Sequence, residues 1–302
     1  MLDIALLGTG GMMPLPTRFL ASMICRFNGG LTIIDCGEGT QVSLKILGWG
    51  YKNIDIICIT HFHGDHVSGL PGLLLAIANS GRTEPISLIG PKGLKHIVES
   101  LCVIARDLPF KLVFNEVLEP STFTFGDMTI NTEFGNHRTI CLAYSLEISR
   151  LGKFNLEKAT ELNLPRNYWS VLQKGNNVEH DGKIYTPDMV MGEARKGIKL
   201  SYCTDTRPSK KLEEFAENSD LLICEGIYGD DEKINKAKEY KHMLFSEAAT
   251  IAKNSNSKEL WLTHYSPSLI KPEEFLPVAQ KIFENAKCGY DRKTKTINFT
   301  ED

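Results

Sequence analysis

Three histidines and an aspartate fall within six residues, in His61-Phe62-His63-Gly64-Asp65-His66. A neutral imidazole has two ring nitrogens, and each needs a partner once water is removed. Packing three such rings together as core leaves nitrogens unmatched, whereas a metal ion takes several at once. His61 and His63 stand two apart, so an extended or turning backbone aims both rings the same way. Asp65 and His66 leave the turn in another direction. That arrangement suits two metal ions better than one.

A pair of ions needs more donors, and the chain offers them in similar places. The histidine run follows residues 54–60, an apolar stretch that reads as a buried strand. His137 follows a strand-like stretch at 128–134, Asp205 one at 199–204 and His264 one at 260–263. Taken singly, each is an ordinary strand-end polar residue. The recurrence points to donors converging at one edge of a sheet. Imidazole and carboxylate suit Zn²⁺, and Mn²⁺ or Fe accept the same donors. Two such ions roughly 3.5–4 Å apart lower the pKa of a shared water and stabilise charge on phosphoryl oxygens. Asp65 is placed both to ligate and to orient the nucleophile, and a leaving alkoxide then needs a proton donor.

The elements that position these groups are legible as short apolar runs bounded by turn residues. Strands are predicted at 2–7, 22–27, 31–35, 54–60, 86–89, 111–117, 128–134, 142–148, 199–204, 221–224, 260–263 and 296–299. Helical spacing predicts helices at 42–47, 69–77, 94–106, 209–215, 246–252 and 272–286. Strands with interspersed helices imply an α/β or α+β layered domain. Periodicity weakens from about residue 150 to 198. Between 150 and 199 nine Arg and Lys stand against six Asp and Glu, in a chain of formal charge −3. Such a stretch is long for a plain connection, so it is a surface excursion or a functional appendage. Its aromatic pair, Tyr168-Trp169, is there to stack on a ligand or to anchor the segment.

The chain has 302 residues, of which 42% are hydrophobic and 24% charged. This excludes a disordered chain, a collagen-like repeat and a coiled coil. Acids outnumber bases 37 to 34, which excludes a strongly basic chain but not a local basic surface. No apolar run reaches the ~18–20 residues that span a bilayer, so no membrane partner is expected. The start carries Asp3 and no basic region, unlike a signal peptide. Eight scattered cysteines, none in a CxxC pair, are expected to be buried thiols of a cytoplasmic protein. His96 and His180 have no evident partner and read as structural or surface residues.

The HxHxDH run with distal His, Asp and His resembles the metallo-β-lactamase superfamily. Leu7-Gly8-Thr9-Gly10-Gly11, Asp35-Cys36-Gly37-Glu38-Gly39-Thr40-Gln41 and Gly64-Asp65-His66-Val67-Ser68-Gly69-Leu70-Pro71-Gly72-Leu73 narrow the likeness to its ribonuclease Z branch. It extends over about residues 2–300. The resemblance implies an αββα sandwich, two mixed β-sheets with helices on both outer faces, as a single domain over 1–302. It implies two Zn²⁺ per chain, one held by His61, His63 and His137, the other by Asp65, His66 and His264, with Asp205 between them. It implies removal of the 3′ trailer from precursor tRNA, leaving a 3′-hydroxyl and a 5′-phosphorylated trailer.

In that family a histidine resembling His242 acts as general acid, oriented by a carboxylate resembling Glu225. Here Met243-Leu244 stands in place of Ser-Thr; the alternative for His242 is a surface histidine at a helix start. Asp35 and Glu38 are expected to organise hydrogen bonds behind the metal ligands. The segment at about 150–198 occupies the place of an arm that grips tRNA, with Arg166 and Lys174 available for phosphates. The family's Arg after the serine is missing from Ser266-Pro267-Ser268. The resemblance implies a homodimer in which one arm serves the other subunit's site. The alternative is a hydrolase of the same core acting on a small phosphodiester or other small ester.

Overall fold

Residues along the first strand alternate between two buried destinations. Ala5 and Leu7 join a core cluster with Leu44, Leu70, Leu73, Leu74 and Ile77. Their neighbours Ile4 and Leu6 must point to the opposite face, and they are equally buried. A sheet buried on both faces needs a covering layer on each. The computed structural model describes residues 1–300.

In chain order the strands are β1 (Leu2–Gly8), β2 (Ser22–Phe27), β3 (Gly30–Ile34), β4 (Ile54–Cys58), β5 (Ile86–Pro91), β6 (Leu112–Val117), β7 (Thr122–Phe125) and β8 (Met128–Phe134). They continue as β9 (Leu142–Arg150), β10 (Val178–His180), β11 (Lys183–Tyr185), β12 (Arg195–Cys203), β13 (Leu221–Glu225), β14 (Leu260–Thr263), β15 (Ala286–Cys288) and β16 (Thr294–Ile297). The helices are α1 (Thr40–Leu47), α2 (Gly64–Val67), α3 (Leu70–Asn79), α4 (Leu94–Leu101), α5 (Leu156–Glu161), α6 (Arg166–Gln173), α7 (Lys210–Phe215), α8 (Ile234–Tyr240), α9 (Phe245–Asn254) and α10 (Leu276–Gln280).

Two seven-stranded sheets form, in the orders β16-β1-β2-β3-β4-β5-β6 and β15-β14-β13-β12-β9-β8-β7. Both are mixed. Strands β3 to β6 run parallel after an antiparallel start, and β12 to β15 run parallel beside the antiparallel β7–β8 pair. Helices α1, α3 and α4 cover the outer face of the first sheet. Helices α7, α9 and α10 cover the second, against Leu222, Cys224, Leu260 and Leu262. Between the sheets, the Tyr144 hydroxyl on β9 donates to the Ile59 carbonyl just past β4, at 2.7 Å. This is the layered α/β sandwich expected, with helices on both outer faces. All eight cysteines are buried free thiols.

The chain divides into two compact units. The first comprises Met1–Glu147 and Ile198–Asn298, and the second Ile148–Gly197 with Phe299 and Thr300 among the described residues. The second unit has its own small core of Ala159, Leu164, Leu172, Val178, Val190 and Met191. Trp169 packs on that core, and its indole N–H donates to the Leu164 carbonyl at 2.9 Å. The Tyr168 ring lies 5.2 Å from that of His180. The aromatic pair therefore anchors this unit from within.

Several expectations need correction. The helix predicted over 272–286 is a 3₁₀ turn at Pro272–Phe275, then α10, then strand β15. Prolines 272 and 277 confine helix to short pieces. Strand β15 is three residues long, too short for a periodic signal, and exists because β14 pairs with it in parallel. The helix predicted over 94–106 ends at Leu101 and tightens into a 3₁₀ turn. Strand β7 and all elements within 151–190 were not predicted, because their apolar residues serve short elements rather than a sustained face.

Candidate metal centre

Three turns carry the decisive side chains, and each follows a parallel strand. Asp35 follows β3, Asp205 follows β12 and His264 follows β14, with φ of 60°, 52° and 59°. Left-handed backbone is uncommon outside glycine, though Asp, Asn and His tolerate it best. It turns each chain sharply at the carboxyl end of its strand, where open α/β sheets place their ligands. The run after β4 adds His61 and His63, and the single turn of α2 carries Asp65 and His66. His137 stands in the turn between β8 and β9.

These residues converge around Asp205. Its Oδ1 lies 3.3 Å from His66 Nε2 and 3.1 Å from His264 Nε2. Its Oδ2 lies 3.6 Å from His61 Nε2 and 3.8 Å from His137 Nε2. His63 Nδ1 is 2.9 Å from His61 Nε2 and 3.4 Å from His137 Nε2. Asp65 Oδ2 is 3.3 Å from His264 Nε2 and 3.7 Å from His66 Nε2. His61, His63, His137 and Asp205 form one group able to hold a metal ion, and Asp65, His66 and His264 another. A third, overlapping group joins His242 to Asp205 and His264.

The donor set fits a divalent metal on its own chemistry. Ring nitrogens face one another across about 3 Å, a contact in which two lone pairs repel unless a cation or proton lies between them. Burial holds His61 down at about 2 and also lowers His63 and His137, so these three are neutral with lone pairs free for a metal. Burial opposes ionisation of Asp65, yet the hydrogen bond from His264 and the charges of His66 and His264 outweigh it. Burial likewise opposes a charge on His66, which Asp205 and Asp35 more than offset. Cys141 is not a donor here, since its thiol lies 3.8 Å from His61 Nδ1 and donates to the Thr204 carbonyl.

Behind the donors lies a frame that residue types alone only partly revealed. Asp35 Oδ2 accepts from His66 Nδ1 at 2.8 Å, while its other oxygen accepts from Thr60 N–H at 2.8 Å. This sets the His66 tautomer and turns Nε2 toward the centre. Glu38, by contrast, is exposed, so the expected role for it is corrected. The Met12 amide donates to Asp65 Oδ2 at 2.6 Å, a backbone contact that no residue type advertises. Gly11 lets that loop approach, because a Cβ there would sit 2.7 Å from His264 Cε1.

Glu225, at the end of β13, is fully buried. One oxygen accepts from the Thr206 amide at 2.6 Å, and the other from His242 Nδ1 at 2.9 Å. Burial alone would lower the His242 pKa. The charge and hydrogen bond of Glu225 outweigh it and push it up to about 9. Arg207 was missed by the sequence reading. Its guanidinium donates to the His242 carbonyl and to both oxygens of Glu247. The clamp joins the Asp205 turn to the His242 turn. His242, His63, His137, Asp65, Asp205 and His264 all line one cavity of about 450 Å³. Arg166 and Lys174 are exposed in the second unit, at the start and just past the end of α6.

Two groups of imidazole and carboxylate donors, split across one aspartate at the edge of an αββα sandwich, define a metal-dependent hydrolase of the metallo-β-lactamase fold. Comparison with known proteins agrees. Human tRNase Z, short form, superposes with a TM-score of 0.70 at 24% identity, over 98% of this chain and 100% of that one. The metallo-β-lactamase fold protein YhfI from Bacillus subtilis gives 0.69 at 18% identity, over 97% of this chain and 98% of its own. A family model described as Anti-Pycsar protein Apyc1 matches residues 2–107. The ribonuclease Z of Lachnoclostridium phytofermentans is 53% identical over the full length of both chains, and that of Clostridium kluyveri 54%. The chain belongs to the ribonuclease Z family. Among the described residues no helix is long and apolar enough to cross a membrane.

Proposed function

We propose that this chain removes the 3′ trailer from precursor tRNA, using two Zn²⁺ ions per chain in a homodimer. His61, His63 and His137 hold one ion, Asp65, His66 and His264 the other, and Asp205 is shared. The observation that carries this reading is Asp205 itself, whose two oxygens each face a separate histidine group. Full-length likeness to ribonucleases Z supports the tRNA substrate.

Zinc held by these residues would supply Lewis acidity toward the phosphoryl oxygens and would make a water more acidic. The chain's own residues do the rest. Asp65, oriented by the Met12 amide, accepts a proton from the attacking water and keeps it aligned. His242 gives a proton to the departing 3′-oxygen. Its Nδ1 is engaged by Glu225, so the donating atom is Nε2. Glu225 fixes that tautomer and stabilises the imidazolium, and Arg207 holds the backbone of the turn. Cleavage then leaves a 3′-hydroxyl on the tRNA and a 5′-phosphate on the trailer. Arg166 and Lys174 contact tRNA phosphates.

The test is cleavage of a precursor tRNA carrying a 3′ trailer, with product ends mapped and zinc per chain measured on the same sample. A single cut near the discriminator nucleotide with two zinc per chain is the expected result. No cut, alongside turnover of a small phosphodiester, would overturn the tRNA assignment and favour the small-ester hydrolase.

A further inference from the structure

The cavity that holds the candidate metal ligands has a second wall that the cleavage chemistry leaves unused. It is built by Arg138, in the turn just after His137, by Lys236 and Tyr240 on α8, and by Tyr228 past β13. Positions 236 and 240 lie one turn apart on α8, so both present to the cavity. The Arg138 guanidinium lies 4.7 Å from the centre of the Tyr240 ring, and its Nη2 donates to the Glu239 carbonyl at 2.8 Å. The Lys236 ammonium lies 5.3 Å from the centre of the Tyr228 ring. Each cation is thus steadied by an aromatic face while remaining exposed to an incoming group.

We infer that this wall is a nucleotide subsite, in which Arg138 and Lys236 take a phosphate next to the scissile one and Tyr240 offers a ring face to a base. The inference rests on the RNA reading above and specifies how the chain is engaged beside the cut. Charge is the first argument. The cavity's carboxylates are Asp65 and Asp205, both within the metal-ligand groups, and its charged groups away from them are Arg138 and Lys236. Such a wall attracts a polyanion and gives a neutral ester nothing to bind. Shape is the second. Guanidinium, ammonium and an exposed ring side by side match the phosphate and base of one nucleotide. Arg138 and Lys236 thereby supply cationic contacts in a chain that has Ser266-Pro267-Ser268 in the loop after His264.

The experiment compares wild type with Arg138→Ala, Lys236→Ala and Tyr240→Leu on trailer-bearing precursor tRNA and on bis(p-nitrophenyl) phosphate, over a salt series. Each cation variant is expected to raise KM for the RNA about 10-fold, with a much smaller change in kcat. The slope of log kcat/KM against log salt should shallow by about 0.7 for a lost phosphate contact to single-stranded RNA. The loss on RNA should exceed that on the small diester by about tenfold. Arg138 adjoins His137, so Lys236→Ala, on a separate element, guards against a disturbed metal site. Unchanged KM and salt slope in both cation variants, or equal losses on both substrates, would overturn the subsite. A wild-type enzyme that hydrolyses the diester but never cuts the RNA would instead overturn the RNA reading on which it rests.

Discussion

Asp205 illustrates how much one side chain is asked to do. It is buried, it sits in left-handed backbone, and its two oxygens lie within 3.8 Å of five histidines. Its type and strand-end position were visible in the sequence; its division between two groups was not. Asp65 was equally visible, yet its hydrogen bond from the Met12 amide depends on a loop 53 residues away. Asp65→Ala is expected to abolish hydrolysis of both RNA and small diesters. A variant that carries full metal and runs near the wild-type rate would remove Asp65 from the mechanism. Gly11→Ala is the subtler case. The added methyl would meet the His264 ring, so metal content should fall toward one ion per chain while the melting curve stays cooperative. Elemental analysis of the purified variant decides it.

At the scale of elements, the parallel strands determine where chemistry collects. Strands β3, β4, β12, β13 and β14 end in Asp35, the His61 run, Asp205, Glu225 and His264, and these strands were legible because apolar residues dominate their buried positions. The turn residues that join them were less legible. Arg207 belongs to no motif in the sequence, yet its guanidinium ties two turns through the His242 carbonyl and Glu247. Arg207→Met leaves the partly buried Glu247 carboxylate without its cation, with the Leu244 amide still donating to it. Destabilisation of about 3 kcal/mol is expected, together with a lower kcat, and denaturant unfolding with parallel kinetics measures both. The turn before β16 gives a pH prediction. Lys293 packs against Trp261 and Tyr290, and burial holds its ammonium down at about 8. The folded chain therefore binds fewer protons there than the unfolded chain between about pH 8 and the ordinary lysine value near 10.5. Stability from this group rises with pH across that window. The difference in melting temperature between wild type and Lys293→Met should shift in favour of wild type as pH climbs from 8 to 10.5. A constant difference would contradict the shifted lysine.

For the whole molecule, the sandwich and the Ile148–Gly197 unit are separately packed pieces. The second has its own core and carries Arg166 and Lys174. Deleting residues 155–188 is expected to spare turnover of small phosphodiesters and to remove cleavage of precursor tRNA. Equal loss on both, in a variant that still melts cooperatively, would contradict a separate binding role. Light scattering of the intact chain tests the proposed dimer, for which a single-chain mass would be fatal.

The sequence by itself determined the donor types, their strand-end placement, the layered α/β architecture and the family. These follow from local pattern, because a strand's apolar run and the residue just past it are neighbours in the chain. Only the tertiary structure decided which atoms meet. His66 and His264 are 198 residues apart yet bring their Nε2 atoms within 3.1 Å. That contact exists because two sheets pack face to face and their parallel strands end on the same side. The Met12 amide, the Gly11 approach, the Arg207 clamp and the cationic wall of Arg138 and Lys236 are decided in the same way. Each is a relation between distant segments, and no spacing along the chain encodes it.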